Sequence, residues 1–228
     1  MHWENILYVL SSILFIFGIK RLRHPRTARS GNLIASMGML IAIVTTLVIS
    51  NSLSYELIGI GIIIGAIIGA FFAMRVEMTQ MPQMVAMFNG FGGIASALVA
   101  AAEFVNASKS FPYGEIFTYS TISLSLFIGT LTFTGSFIAF GKLQGFVSGK
   151  PIVFPGQQLL NGLIASSIIG LAVYIVLFPN DLNYFYLLIA MSAVIGITLT
   201  IPIGGADMPV VISLLNSYSG IAAASTGF

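Results

Sequence analysis

Eight apolar runs, each about long enough to cross a bilayer as a helix, follow one another through this chain and constrain its fold more than anything else. They cover residues 5–20, 32–50, 57–74, 82–104, 117–140, 159–178, 184–201 and 209–228. About 20 mostly apolar residues, rising 1.5 Å each, span the hydrocarbon. Every backbone N–H and C=O there must be satisfied within the protein, which leaves the helix as the form such a run adopts. The breaks between runs carry Pro25, Pro82, Pro112, Pro151 with Pro155, Pro179, and Pro202 through Pro209. The predicted fold class is all-α, a polytopic transmembrane bundle forming one domain over residues 1–228. Charge agrees with this. Only 7% of residues are charged and 57% are hydrophobic, whereas a soluble domain carries about a quarter charged residues.

The basic residues are clustered, so they report topology and not a nucleic-acid footprint. Lys20, Arg21, Arg23, Arg26 and Arg29 follow the first run, Arg75 the third, and Lys142 and Lys150 the fifth, while Lys109 alone falls on the other side. The positive-inside rule places the larger set in the cytoplasm, or in the matrix for a mitochondrial membrane, with both termini at the opposite face. Residues 1–17 have no Lys or Arg ahead of them. That is the wrong charge order for a cleaved signal peptide, so this stretch reads as the first span. The absence of cysteine excludes disulfides, thiolate metal sites and thiol catalysis. No histidine lies inside a run, which argues against a histidine relay and an imidazole metal site. Gly61, Gly65 and Gly69 share one face of the third run and read as a helix-packing surface.

Two windows echo each other. Residues 81–97, MPQMVAMFNGFGGIASA, align without gaps to residues 208–224, MPVVISLLNSYSGIAAA. Their offset of 127 residues also lays runs two and three on runs six and seven, which suggests a parallel 4+4 duplication. Each window has its Pro in the first helical turn, where a missing N–H matters least. Each has an Asn seven residues later, Asn89 and Asn216, about 10 Å inside the cytoplasmic end. An unpaired polar group in hydrocarbon costs several kcal/mol, so both carboxamides are expected to face the interior. They either join helices by hydrogen bonds or line a polar path. Ser213, Ser217, Tyr218 and Ser219 surround Asn216 with enough hydroxyls to hold a file of water, in which an Asn positions a proton-carrying water without storing the proton. Among the acids, Glu56, Glu77 and Glu103 read as interfacial charges. Asp207 stands out because Gly204 and Gly205 beside it are expected to let the backbone bend. Gly90, Gly92 and Gly93 lie inside a run and make no dinucleotide fingerprint.

The runs EMTQMP at 77–82, TFTGSFIAFGKLQG at 132–145 and GGADMPVVISLLNSYSG at 204–220 resemble the beta subunit of proton-translocating NAD(P) transhydrogenase, and the resemblance extends over essentially the whole chain. It implies the proton-conducting membrane part of an enzyme that couples hydride transfer between NAD(H) and NADP(H), held in soluble domains elsewhere, to proton movement. It implies no catalytic, cofactor-binding or metal-binding residue in this chain. Asn89, Asn216, Ser213, Ser217 and Ser219 would form the proton pathway, and Asp207, Gly204 and Gly205 the coupling to the NADP(H) domain. Asn89 falls where some members carry a histidine implicated in proton transfer, so a proton-storing role does not carry over. The implied partners are alpha subunits, a further span and NADP(H)-binding domain that follow in the family, the lipid bilayer and a second copy in a dimeric complex. The implied location is the bacterial inner membrane. A stand-alone transporter or channel with parallel repeats is the alternative, and a structural subunit whose asparagines only lock helices is a third.

Overall fold

The computed structural model describes residues 3–49, 54–106, 114–179 and 181–227. Among these the chain forms eight α-helices and no strand: α1 Trp3–Leu22, α2 Pro25–Ile49, α3 Tyr55–Arg75, α4 Met81–Asn106, α5 Glu115–Gln144, α6 Gln157–Leu177, α7 Leu182–Thr200 and α8 Met208–Thr226. All eight are long and apolar enough to cross a membrane. The helices fall into two compact units, Met1–Arg75 and Val76–Phe228. Lys109 and Pro112 lie outside the described residues.

In the first unit α1 and α2 form a hairpin packed through small residues. Gly31 lies so close to α1 that a methyl group on it would come 2.8 Å from the Gly18 carbonyl oxygen. Ser11 Oγ donates to the Gly38 carbonyl at 2.7 Å, and Tyr8 and Thr46 join hydroxyls at 2.9 Å. The reversal is tight because α2 begins at Pro25 itself, whose fixed φ suits a first turn. Lys20 and Arg21 therefore end α1, and Arg26 and Arg29 belong to α2, where the sequence suggested a basic loop. The α3 glycines do not behave as expected within the chain. That helix buries none of its residues, and a Cβ on Gly61, Gly65 or Gly69 would meet nothing within 4 Å.

The second unit is built around α5, which packs against α4, α6, α7 and α8. Its buried positions include Ser125, Gly129, Thr132, Ser136 and Ala139, so one small, polar stripe runs along most of its length. The gain is close approach. A methyl group on Gly129 would lie 2.6 Å from the Gly93 oxygen of α4, and small residues allow such crossings where lipid provides no hydrophobic drive. At the far end the core becomes aromatic, with Phe104 stacked on Phe185 at 4.3 Å.

Helix α5 runs four residues past its predicted end. Gly141 and Lys142 are still helical, and the stop comes at Gly145, whose φ of 80° is a left-handed cap that glycine adopts without strain. Lys142 is thus a buried residue of the last turn, 4% exposed, and not the loop charge expected from the sequence. The two echoing windows share their lead-in. A 3-10 turn, Met78–Gln80, precedes α4 and another, Gly205–Asp207, precedes α8, each after an extended residue. Glu77 has φ −75° and ψ 154°, and Gly204 has φ −68° and ψ 152°.

Candidate polar site between α4, α5 and α8

Helices α4 and α8 start at the same end of the unit, and α5 ends there. This arrangement brings one carboxamide and two hydroxyls from three helices together. Asn89 of α4 is 8% exposed. Its Nδ2 donates to Ser136 Oγ of α5 at 3.0 Å, and its Oδ1 accepts from Ser219 Oγ of α8 at 2.9 Å. Ser219 Oγ is also 2.9 Å from the Asn216 carbonyl oxygen. A hydroxyl has one proton, so Ser219 chooses between Asn89 and its own helix, and a rotation about one bond switches the network.

The polar stripe continues along α5. Thr132 Oγ1, one turn from Ser136, is buried and has no hydrogen-bond partner among the described residues; Ser123 Oγ also has none, but it lies on another face of α5, beside Ile168 and Val173 of α6. Further along, Ser125 Oγ donates to the Ala222 carbonyl of α8 at 3.1 Å. Buried polar atoms are nearly always satisfied by protein or water, so a line of such hydroxyls favours ordered water between the helices.

Asn216 is not part of the buried set. It was expected to face the interior, but it lies on the exposed flank of α8 with Ser213, Ser217 and Tyr218. The reason is helical phase. The buried positions of α8 are Met208, Ile212, Leu215, Ala222 and Ser225, and Asn216 is turned about 100° from its neighbour Leu215, just past the edge of that stripe. Only Ser219, on the boundary, reaches Asn89. The pair that looked equivalent in sequence is therefore one buried hub and one outward-facing amide.

Asp207 is exposed, and its side chain does not cap α8. Gly204 and Gly205 are not there for an unusual bend. Positive φ occurs, among the described residues, at Gly114, Gly145 and Gly156. What sets their place is contact with the α5–α6 loop. Gly205 N–H donates to the Gly149 carbonyl at 2.8 Å, and a Cβ on Gly205 would lie 3.5 Å from Gly149 Cα.

Ser136 and Thr132 were missed at the sequence level, although both lie in the quoted run TFTGS. Three hydroxyls in a run of apolar residues were the available signal. The alternation of Thr132, Thr134 and Ser136 hid it: helical spacing puts Thr132 and Ser136 on one face, but only the fold says that this face is buried against α4 and α8.

Residues 4–228 match the family described as NAD(P) transhydrogenase beta subunit. A curated NAD(P) transhydrogenase subunit beta from Rhodospirillum rubrum is 44% identical over 225 residues, which is 97% of this chain and 48% of that protein. The same protein from a designated strain of that bacterium gives the same figures. The chain thus spans about half the length of the curated relatives it matches.

Proposed function

The chain belongs to the NAD(P) transhydrogenase beta-subunit family, and from that premise we propose that it forms the proton-conducting membrane part of the enzyme. In this reading hydride passes between NAD(H) and NADP(H) in soluble domains, and the energy is exchanged with proton movement through this bundle. The observation that carries the reading is the buried Asn89 hub, which joins α4, α5 and α8 at membrane depth and can switch one hydroxyl. An Asn does not titrate near neutral pH, so Asn89 holds and orients water while the proton moves along hydroxyls and water. Buried polar groups inside membrane helices are expensive and tend to mark such paths.

Asn216, Ser213 and Ser217 face outward in this chain. They complete the pathway against helices from outside the α4–α8 unit, such as those of an alpha subunit or a following span, and a dimeric complex adds a second copy. Asp207, with Gly204 and Gly205, sits where α8 begins and would pass the state of an NADP(H)-binding domain to that helix. The glycines at 90, 92 and 93 lie within α4, and Gly93 is packed on Gly129 of α5. They provide no phosphate cradle after a strand, so no step of hydride transfer is placed on this chain.

The membrane assigned is the bacterial inner membrane, with the N-terminus outside by the distribution of basic residues. The family match favours the subunit over the stand-alone transporter, and the shared lead-ins of α4 and α8 support a duplication. The test is to reconstitute the complete complex containing this chain in vesicles and record lumenal pH during hydride transfer. Proton movement that starts with nucleotide and stops with an uncoupler is expected. Hydride transfer indifferent to a proton gradient would remove the proposal.

A further inference from the structure

The sequence assigns Lys142 only to topology, yet the fold buries it. It ends the polar stripe of α5, one turn past Ala139, and its ammonium meets three backbone carbonyls: Ile201 at 2.6 Å, Ile203 at 2.8 Å and Lys150 at 3.1 Å. An ammonium has three donors, and here all three are engaged. Two of the acceptors lie just past the C-terminus of α7, where the helix dipole leaves negative partial charge. The third lies in the α5–α6 loop.

Two further bonds tie the same segments. Ile152 N–H donates to the Ile201 carbonyl at 3.3 Å, and Gly205 N–H donates to Gly149. The α7–α8 loop, which carries Asp207, is thereby held on the α5–α6 loop around one buried charge. Removing an ammonium from water costs several kcal/mol, and an apolar side chain would pack these loops more cheaply. A charged grip is different in kind, because it can be released by anything that competes for the ammonium or the carbonyls.

The loop has a direct mechanical path to the hub. Immediately after Asp207, Met208 is fully buried in a cluster with Ala86 of α4 and Ala139 of α5. Movement of the loop therefore moves the first turn of α8, and with it Ser219 against Asn89. We propose that Lys142 is a positioning residue for coupling, whose three-carbonyl grip holds the Asp207 loop and so sets the register of α8 against the Asn89 hub. This rests on the proton-conducting reading given above.

The test uses the complete complex in vesicles and exploits the lack of cysteine in this chain. Ile203 is half-buried against the Met208 cluster, and Ile203→Cys provides a reporter on the loop, labelled with a maleimide and read on this chain after the subunits are separated. In that background Lys142→Met removes every donor at nearly constant length, and Lys142→Arg keeps the charge and donors. The expected result for Lys142→Met is labelling about tenfold faster, as a locally opened segment gives. Gradient-driven turnover should fall about tenfold, with the KM for both nucleotides within about twofold. Lys142→Arg should recover most of both changes.

Should Lys142→Met fail to assemble, Gly205→Pro replaces it, since it deletes the N–H given to Gly149, sets the ring against that carbonyl and should open the same loop. Labelling unchanged in the assembled variant overturns the grip. Faster labelling with unchanged gradient-driven turnover overturns the link to coupling. A parent complex with no response to a gradient removes the proposed function instead, while the labelling contrast, which needs no turnover, still decides whether Lys142 holds the loop.

Discussion

Asn89 and Asn216 occupy the same place in two closely similar helices and end in opposite surroundings. Asn89 has a donor and an acceptor contact to two other helices, whereas Asn216 lies on an exposed face of its own unit. The local code is shared down to the 3-10 lead-in and the Pro in the first turn. What differs is which stripe each helix buries. In α4 the Asn falls among Ala86, Gly90, Gly93 and Ala97, which let α5 come close. In α8 the buried stripe passes through Leu215 and misses its neighbour. One site is finished within the α4–α8 unit, and the other faces away from that unit's core.

This contrast separates function from stability. Asn216→Leu should lower gradient-driven turnover of the complete complex by about 100-fold, equivalent to about 2.7 kcal/mol, while leaving insertion and thermal unfolding of the chain unchanged. Unfolding that shifts as much as turnover would mean that Asn216 is a packing residue after all. Gly129→Val should force α4 and α5 apart at their closest crossing. Overpacking of this kind destabilises by about 1–3 kcal/mol, to be read as a lower unfolding midpoint in detergent. No change there would show that the crossing is looser than a 2.6 Å approach allows.

Asn89→Leu should differ from the Asn216 change by lowering stability as well as proton transfer. It takes from Ser136 its Asn89 partner, while Ser219 falls back on the Asn216 carbonyl, and costs about 1–2 kcal/mol of stability, visible in the same unfolding measurement and absent for Asn216→Leu. Ser219→Ala is expected to be the mildest. Interhelical hydrogen bonds in membranes average about 0.6 kcal/mol, so unfolding should barely move, and the measurable effect should be on the rate of proton transfer. A stability loss equal to that of Asn89→Leu would make Ser219 a structural lock.

The bundle was legible because its signal is long. Eight apolar runs survive errors of several residues, and each has its helix. The boundaries were misread where polar residues continue a helix. Lys142 was read as loop because a lysine deep in a fold contradicts every compositional expectation, and only the three carbonyls from distant segments make it tolerable. The basic residues at 20–29 were read as a loop because two helix ends and a tight turn have the composition of a linker. For the site, Asn89 was legible as a costly polar group in an apolar run, and its partner Ser136 was not, since a serine bonded to its own helix has the same sequence signature. The orientation of Asn216 depends on a 100° step between neighbours, which depth alone does not reveal.

The most direct test of the account is proton movement per hydride transferred, measured in sealed vesicles bearing the complete complex with Asn89→Leu, Asn216→Leu or the parent chain. The account predicts robust nucleotide-driven proton movement per hydride in the parent, almost none in Asn216→Leu, and a clear reduction in Asn89→Leu that the folded fraction, which cancels in the ratio, does not explain. Equal proton movement per hydride and equal rates in all three would contradict a proton path through this polar site.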